Sequence, residues 1–212
     1  MPDEPLIAPH GGYRKLKSFQ LAELLYDVTA RFCDRYISTR SRTHDQMVQA
    51  ARSGVQNIVE GSQVSGTSRK MEMKLTGVAR ASLEELRRDY EDYLRQRELP
   101  QWPPDHPVLH RLKARRVATL TEFRQWVAEE MKKNTDQHGP TRAEDKTRGV
   151  RARPCSSASP DVLAANGALC LLNLCCYLLD RQMAAQAAAF EKEGGFTERL
   201  YKRRIQQRPK NE

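Results

Sequence analysis

The chain has 212 residues, of which 36 are Lys or Arg and 27 are Asp or Glu, so its net charge is +9. This length is typical of one domain with an appendage, and it is sufficient to bury a hydrophobic core. Aromatic residues make up only 7% and alternating Val/Ile/Thr runs are nearly absent, so a β-sheet protein is not expected and an all-α fold is predicted. The basic excess favours a polyanionic partner but does not decide the fold.

The chain contains five cysteines, three of them in its most apolar segment and none in a C-x-x-C pair. Such an odd, apolar set indicates free thiols in a reducing compartment. The first residues, M-P-D-E-P, are acidic and precede no apolar run, so no signal peptide is expected. We therefore expect a soluble cytoplasmic protein.

Residues 1–12 contain three prolines and two glycines and are predicted to form a flexible tail. Apolar spacings of three and four then predict three bundle helices within residues 13–99. The first is predicted to run to about Ile37, the second to about Glu60, and the third to the prolines that follow residue 99. Gly61 is predicted to end the second helix in the left-handed conformation.

Residues 100–159 are predicted to form an insertion, with one amphipathic helix over 108–133 and a basic, disordered loop after it. Residues 160–196 are predicted to form the fourth bundle helix, and residues 197–212 a basic tail that adds one or two turns. The predicted fold is an antiparallel four-helix bundle with an inserted helix and a basic loop between helices three and four.

The most apolar segment, residues 164–180, carries leucines around an arc of about 160°, whereas a bundle helix normally buries an arc somewhat over 100°. We therefore predict that part of this helix is buried against a second copy of the chain. The predicted interface consists of Leu171, Leu172, Leu174, Leu178 and Leu179. The segment is interrupted by amides and is shorter than the about 20 apolar residues that a bilayer requires, so no membrane span is expected.

Asn166, Asn173 and Asp180 are spaced by seven residues and share one seam of this helix. Two interpretations are open. The seam lines the central channel of a ring of chains, or it forms a thin strip that faces solvent.

Three segments carry a family resemblance: Y-R-K-L-K-S-F-Q at 13–20, Q-M-V-Q-A-A-R-S-G-V-Q-N-I-V-E-G at 46–61, and M-K-L-T-G-V-A-R-A-S-L-E-E-L at 73–86. They resemble the bacterial four-helix-bundle proteins named for intervening sequences in 23S ribosomal RNA genes. In those proteins the second helix typically ends in N-I-A-E-G, which residues 57–61 match at four of five positions. Residues 160–200 are similar to the C-terminal form of a longer branch of that family.

The resemblance implies a bundle that assembles into a barrel-like ring, a pentamer. It also implies a relation to the accessory variability determinant of diversity-generating retroelements, which binds structured RNA or DNA together with a reverse transcriptase. This chain departs from the family at Val48 and Gln49, where relatives often carry two adjacent basic residues. Arg52 is the candidate replacement for one of them.

The basic residues fall into separate clusters along the chain, and a ring would repeat each cluster around a rim. Few aromatic residues accompany them, which favours recognition of nucleic-acid shape or backbone over base stacking. Alanine substitutions in the cluster 111–116 are expected to weaken nucleic-acid affinity without unfolding the bundle. The residues assigned to nucleic-acid binding are Arg40, Arg42, Arg69, Lys70, Arg111, Lys113, Arg115, Arg116, Arg148, Arg151 and Arg153.

Asn57 and Glu60 share a helical face near Gly61, where they either shape a binding corner or tie the corner to backbone groups or an arginine. His106 and His110 are four residues apart, but no third metal ligand follows at a suitable spacing, so no metal is expected. The catalytic motifs H-E-x-x-H, G-x-S-x-G and the P-loop are absent from the sequence, and neither a catalytic residue nor a cofactor is predicted.

The functional hypothesis is a non-catalytic, homo-oligomeric helical bundle that binds structured nucleic acid, with RNA preferred, as an accessory to another macromolecule such as a reverse transcriptase. The alternative is a purely protein-binding oligomeric scaffold, in which the basic charge serves solubility. An enzyme is disfavoured because no set of residues combines a nucleophile, a base and a stabilised charge.

Overall fold

A computed structural model of the chain describes residues 6–7, 9–137 and 159–207. These residues form helices joined by turns and loops and contain no β-strand, which confirms the all-α prediction. The predicted basic loop and the arginines within it lie outside the described residues. The helices are α1 Lys17–Tyr36, α2 Arg42–Val64, α3 Arg69–Gln96, α4 Pro107–Arg115, α5 Leu120–Gln137, α6 Pro160–Glu193 and α7 Phe196–Gln206, with a 3-10 turn at Tyr13–Lys15.

Helices α1, α2, α3 and α6 pack in a closed cycle, which is called the helical core below. In this cycle α1 contacts α2, α2 contacts α3, α3 contacts α6, and α6 contacts α1. Short connections over residues 37–41 and 65–68 make α1, α2 and α3 antiparallel to their neighbours in sequence. One end of the helical core, called the α1–α2 end, therefore holds the α1–α2 connection, the C-terminus of α3 and the N-terminus of α6.

Serine side chains cap two of these helices. The Ser41 hydroxyl accepts a hydrogen bond from the backbone N–H of Thr43 over 3.3 Å, and α2 begins at the next residue after Ser41. The Ser68 hydroxyl accepts from the N–H of Met71 over 3.2 Å at the start of α3. Each cap provides a partner for an N–H group that the first helical turn leaves unpaired.

The second helix ends at Val64, four residues beyond the predicted Glu60, because Gly61 lies inside α2 and not at its end. Its φ angle is not positive, so the predicted left-handed cap is wrong. Gly61 is instead buried at a close approach to α3. A Cβ atom there would lie 3.3 Å from the carbonyl oxygen of Glu72 and 3.4 Å from Cβ of Leu75. Glycine is needed here for helix packing and not for the turn.

The insertion contains two helices, α4 and α5, where the sequence predicts one. The break occurs at Arg116, which adopts the left-handed conformation with φ 51°. A new helix then starts because the Thr119 hydroxyl accepts from the Glu122 N–H over 3.2 Å, while the Glu122 carboxylate accepts from the Ala118 N–H over 2.7 Å. The letters T-L-T-E at 119–122 are a helix-start signal that the sequence prediction missed.

Helix α6 is the most deeply buried element, and residues 162–172 are all buried. Helices α1 and α3 cover two sides of it, and α4 and α5 pack on its N-terminal half. The Trp126 ring of α5 packs closely on α6 at Gly167, where a Cβ atom would lie 2.7 Å from that ring. The predicted ends of this helix and of the tail shift slightly, because α6 stops at Glu193 and a separate eleven-residue helix, α7, starts at Phe196.

The four described cysteines, Cys33, Cys170, Cys175 and Cys176, are buried and unbridged. Burial raises the pKa of the Cys33 thiol to about 12, so it remains protonated near neutral pH. These thiols behave as small core residues, as predicted from their positions in apolar segments. Cys155 lies outside the described residues.

Candidate nucleic-acid interface

The predicted cluster of cations at residues 111–116 is largely paired within the chain. The Arg111 guanidinium donates to both carboxylate oxygens of Glu130, with 2.8 Å between Nε and Oε1. The Arg115 guanidinium donates to Glu129 over 2.8 Å and to Gln125 over 3.2 Å. These bonds join α4 to α5, so both arginines hold the two inserted helices together.

The remaining two cations of that cluster differ from each other. Lys113 Nζ donates to the carbonyl oxygen of Pro104 over 2.6 Å, which ties α4 to the loop before it. Arg116 is exposed, and its backbone forms the left-handed turn after α4. Of the four predicted binding cations, Arg116 alone lacks a side-chain partner among the described residues. This correction weakens the case for a phosphate-binding surface at 111–116.

The ion pair of Arg111 with Glu130 matters for stability because the Glu130 carboxylate is buried. The Glu130 carboxylate is buried, with 2% of its side chain exposed, and Lys133 donates a further hydrogen bond over 3.0 Å. Hydrogen bonds from Arg111 lower the pKa of Glu130 below its ordinary value, against the opposing effect of burial. A buried carboxylate without its cation would be unfavourable, so the pairing with Arg111 stabilises the fold.

Other predicted cations divide between structural and exposed positions. The Arg69 guanidinium donates to the carbonyl oxygen of Ala189 over 3.0 Å and pairs with Glu193, so it joins the start of α3 to the end of α6. Lys70 is exposed beside it, and Arg40 and Arg42 are exposed at the α1–α2 end. The predicted residues Arg148, Arg151 and Arg153 lie outside the described residues.

The predicted corner residues do not form a joint site. The Asn57 amide donates to the Ser53 carbonyl oxygen over 2.8 Å, within its own helix. Glu60 is exposed, and Gly61 is buried against α3. Neither Asn57 nor Glu60 therefore ties the α2–α3 connection, and the role of this segment is helix packing.

In the seam of Asn166, Asn173 and Asp180, the buried Asn166 fits neither interpretation, whereas Asn173 and Asp180 are exposed and leave both interpretations open. Asn166 is 1% exposed and is hydrogen-bonded beneath the segment that leads into α4. The Asp180 carboxylate accepts from Nε of Arg80 over 2.7 Å, and the Asn173 oxygen accepts from Arg87 over 3.4 Å. The seam faces the insertion at one end and the arginines of α3 at the other.

The predicted interface leucines divide into two groups. Leu172 and Leu179 are fully buried within the single chain and Leu171 is 6% exposed, so these three offer almost no surface to a second copy. This prediction was wrong because α1, α3 and the insertion cover a wider arc of α6 than three bundle neighbours would. Leu174 is 47% exposed and Leu178 is partly exposed.

These two leucines wall an apolar groove between α1, α4 and α6 with a volume of about 640 Å³. Tyr177, which is 55% exposed, lies at its edge. No acidic residue lines this groove, and three cations lie on its border. The residues that line it include Leu21, Leu24, Leu112, Leu171, Leu174 and Leu178, with the cations Lys17, Lys113 and Arg116.

A second groove combines apolar residues with arginines and was not predicted. It lies at the α1–α2 end, between α1, α5 and the first turn of α6, and has a volume of about 310 Å³. Its apolar residues include Val28, Phe32, Leu120, Phe123, Val127 and Met131. Arg31, Arg35 and Arg124 line it together with Tyr36, and it is called the cationic groove below.

The cationic groove carries uncompensated positive charge. Among the described residues no carboxylate oxygen lies within the 4.0 Å of an ion pair from Arg31, Arg35 or Arg124. The Arg35 guanidinium instead lies 5.7 Å from the centroid of the Tyr36 ring. Three guanidinium groups around one depression create an electrostatic site for an anion.

Asp161, an acidic residue whose charge acts on Tyr36, is engaged by other partners. Its carboxylate accepts hydrogen bonds from the Tyr93 hydroxyl over 3.0 Å and from the Ser159 hydroxyl. Burial raises the pKa of the Tyr36 phenol, Arg35 and Arg31 oppose that rise, and Asp161 adds to it. Asp161 therefore contributes negative potential at the border without neutralising the arginines.

The sequence prediction missed these arginines because it searched for runs of neighbouring cations. Arg31 and Arg35 are four residues apart and share one face of α1. Arg124 comes from the insertion, ninety residues later in the chain, so no local pattern connects it to them. The one available signal was the R-x-x-x-R spacing in the first helix.

The described residues contain no cluster of three or more His, Cys, Asp or Glu that could hold a metal ion. His106 stacks on Trp102 with 4.5 Å between ring centroids, so it takes part in packing. On α3, Glu84 pairs with Arg80 and Arg87.

One part of the described chain is long and apolar enough to cross a membrane by length and composition alone. It lies within Pro160–Ile205, although the amides in α6 argue against a span from the sequence. In the structure, 78% of its most apolar window is buried inside the protein. A core helix meets the same criteria of length and composition, and α6 packs as a core helix.

Comparison of the chain with protein-family models, with curated proteins and with solved structures gave no match. The family resemblance seen in residues 13–20, 46–61 and 73–86 therefore stays a prediction. Function is inferred here from the surfaces and charges of the molecule itself.

Proposed function

We propose that this chain is a non-catalytic, homo-oligomeric four-helix bundle that binds structured nucleic acid, with RNA preferred, as a cytoplasmic accessory factor. One observation carries the proposal, namely the concentration at the α1–α2 end of arginines that form no ion pair with any other described residue. They are Arg31, Arg35, Arg40, Arg42 and Arg124. Arginine presents a planar set of donors that matches phosphate geometry, so such a surface suits a polyphosphate better than a single small anion.

The placement of these arginines has an energetic cost without an anion. Arg31 and Arg35 repel each other at the i,i+4 spacing of one helix, by a few tenths of a kcal/mol. Arg124 adds a third positive charge from the facing helix α5. A bound phosphate backbone would remove this repulsion and release counterions, which gives binding that weakens steeply with salt.

Self-association is the second part of the proposal. The apolar groove leaves Leu174 and Tyr177 about half exposed, directly after the fully buried stretch 162–172 of α6. Covering a large apolar side chain contributes up to roughly 1.5–3 kcal/mol, so a second copy packed here would be stabilised. A ring of five, as the resemblance implies, would repeat the arginine surface five times and raise affinity by avidity.

The resemblance also implies the class of macromolecule that the assembly serves, with a reverse transcriptase as the first candidate. A specific observation supports the alternative, a protein-binding scaffold without a nucleic-acid role. The apolar groove of about 640 Å³ could hold an apolar helix of another protein in place of a second copy.

Fluorescence anisotropy with a labelled RNA hairpin, at about 50 and about 200 mM salt, tests nucleic-acid binding. We expect binding at low salt that weakens by at least tenfold at the higher salt. Replacing Arg31, Arg35 and Arg124 by glutamine should weaken binding and reduce the salt dependence. The charge-matched control replaces Lys74, Lys192 and Lys202, which are exposed and remote from the cationic groove. Absence of RNA binding at low salt would contradict the proposed function and favour the alternative, a protein-binding scaffold.

Sedimentation velocity tests self-association. We expect the wild-type chain to sediment as an oligomer and Leu174→Glu to shift it towards a single chain. The control is Ile205→Glu, because Ile205 is similarly exposed, at 51%, but lies on α7. A wild-type protein that remains a single chain at high concentration contradicts the ring.

A further inference from the structure

We propose that the cationic groove holds an unpaired nucleotide, so that this surface recognises a single-stranded segment such as an RNA loop or bulge. Arg31, Arg35 and Arg124 would contact the phosphates, and the base would lie on the apolar floor beside Tyr36. This inference rests on the proposed nucleic-acid function and specifies the form of nucleic acid that the groove accepts.

The composition of the groove disfavours a duplex. A nucleic-acid duplex presents phosphates, sugars and base edges to a protein, while its base faces are stacked inside. Apolar side chains gain little from such a surface. An unpaired base exposes a flat, weakly polar face, and burying that face against apolar and aromatic side chains is favourable for every base.

The volume of the cationic groove fits one nucleotide. Its volume of about 310 Å³ lies at the lower end of the ~300–1,000 Å³ found for sites that hold organic ligands. A depression of this size between two helices can take one nucleotide. It cannot take the convex side of a double helix without leaving its floor empty.

The walls of the groove are fixed by the core. Phe32 and Phe123 are each 2% exposed and support the floor from beneath. Phe32 also packs against the Tyr36 ring with 5.1 Å between centroids, which limits the positions that Tyr36 can adopt. Above them, Tyr36 and Val127 are partly exposed and Met131 is 37% exposed, so these side chains would contact the base.

The charges lie on both sides of that floor. Arg31 and Arg35 project from one face of α1, and Arg124 lies on α5. A chain that crosses the groove would therefore meet guanidinium groups on either side of its base. Asp161 at the border is held by Tyr93 and Ser159, which leaves the arginines available to phosphate.

The sequence favours backbone recognition because few aromatics accompany its basic clusters. The structure alters that expectation at this one place. It brings Tyr36 and an apolar floor from two separate helices together with three arginines. Stacking and phosphate contact become possible in the same groove.

The test compares one RNA strand in two forms. A fluorescein-labelled oligouridylate of about ten nucleotides, within the ~4–16 typical of single-strand sites, is titrated alone and after annealing to its complement. We expect the single strand to bind at least about tenfold more tightly at low salt. Tyr36→Leu should weaken single-strand binding by about tenfold and leave duplex binding unchanged, whereas Tyr36→Phe should retain both.

Thermal denaturation establishes that each variant is folded. Equal affinity for the two forms, with no effect of Tyr36→Leu, overturns the inference and leaves the proposed function standing. If the wild-type protein binds no RNA at low salt, both the inference and the proposed function are contradicted. Binding to phosphatidylglycerol vesicles without binding to the oligouridylate would assign the groove to a lipid headgroup and overturn the inference as well.

Discussion

The side-chain oxygen of Asn166 lies 2.7 Å from the backbone nitrogen of Trp102 and accepts its hydrogen bond. The same amide donates to the carbonyl oxygens of Pro100, over 2.9 Å, and Val162, over 3.0 Å. Asn166 is buried in α6, whereas Pro100 and Trp102 belong to the segment that leads into the insertion. One side chain therefore holds the start of the insertion against the last helix of the core.

Asn166→Ala is expected to lower the free energy of unfolding by about 2–3 kcal/mol, because it leaves the Trp102 N–H and the Pro100 carbonyl without their partner. Urea denaturation measures the loss. The control is Asn173→Ala on the same seam, which is exposed and makes only a 3.4 Å contact to Arg87. That variant should stay within about 0.5 kcal/mol of wild type. Equal effects at the two positions would contradict the assigned role of Asn166.

Gly167→Ala is expected to destabilise the protein by about 1–2 kcal/mol, although alanine favours a helix. The new Cβ atom would lie 2.7 Å from the Trp126 ring and 2.9 Å from the Phe123 ring, and both rings are buried. Overpacking against buried rings typically costs about 1–3 kcal/mol, which exceeds the helix-propensity gain of about 1 kcal/mol.

Gly77→Ala provides the matched control for that substitution. Gly77 also lies within a helix, but a Cβ atom there would lie 3.7 Å from Met183 Sδ, which is an ordinary contact. We expect a gain of about 0.5–1 kcal/mol from helix propensity alone. A gain at both positions in thermal denaturation would show that α5 does not pack closely on α6.

Arg111→Ala is expected to lower stability by about 2 kcal/mol at neutral pH, since it leaves the buried Glu130 carboxylate with Lys133 as its remaining cation. RNA affinity should change by less than about twofold, because this guanidinium is already engaged by Glu130. Urea denaturation and RNA titration of the same variant separate the two effects. A large loss of RNA affinity in a stable variant would restore residues 111–116 as a binding surface.

The same pair has a predictable pH dependence. Because hydrogen bonds from Arg111 lower the pKa of Glu130 in the folded state, its ionised form stabilises the fold above the ordinary value near 4.5. This contribution is lost as the pH falls through the lowered pKa. The stability difference between wild type and Glu130→Gln should therefore shrink progressively on acidification. A difference that is constant with pH would contradict the ion pair.

Asp89→Asn is expected to stabilise the protein at pH 7. Burial raises the pKa of Asp89 from 3.8 to about 6, with Glu85 and Asp92 adding to the rise, and its Oδ2 atom is buried without a hydrogen-bond partner in the described part of the chain. The folded state thus binds the Asp89 proton more tightly than the unfolded state does. The free energy of unfolding therefore falls as the pH rises from about 4 to about 6.

Asparagine removes the cost of the buried charge. The expected gain at pH 7 is about 1 kcal/mol, below the ~3 kcal/mol of the full shift because the carboxyl is partly in contact with water. The gain should disappear below about pH 4, where aspartic acid is also neutral. Asp92→Asn serves as control, since Asp92 pairs with Arg95 over 2.9 Å and its loss should be slightly destabilising. A pH-independent gain would point to packing as the cause.

The sequence predicts the helices well because apolar spacing reports directly which face of a helix is buried. Met47, Ile58, Leu83 and Leu86 lie in the core as their spacing requires. Spacing does not report what covers a face. The leucines of α6 suggest a second chain, but the inserted helices of the same chain cover much of that surface.

Ion pairs between residues that are distant in the chain could not be predicted from the sequence either. Arg111 and Glu130 are nineteen residues apart, so one straight helix would separate them by about 29 Å. The turn at Arg116 folds the two halves together and makes the pair possible. The cationic groove has the same origin, because Arg124 reaches Arg31 and Arg35 only after α5 packs beside α1.

The position of α6 after the other three helices of the helical core has a consequence for how the protein is made. Helices α1 and α3 leave the ribosome with their apolar faces uncovered, because the helix that closes the cycle begins only at Pro160. The core can close only after α6 has been synthesised, and until then the nascent chain presents surfaces that chaperones bind. We therefore expect truncation within α6 to yield aggregated protein and not a smaller folded domain.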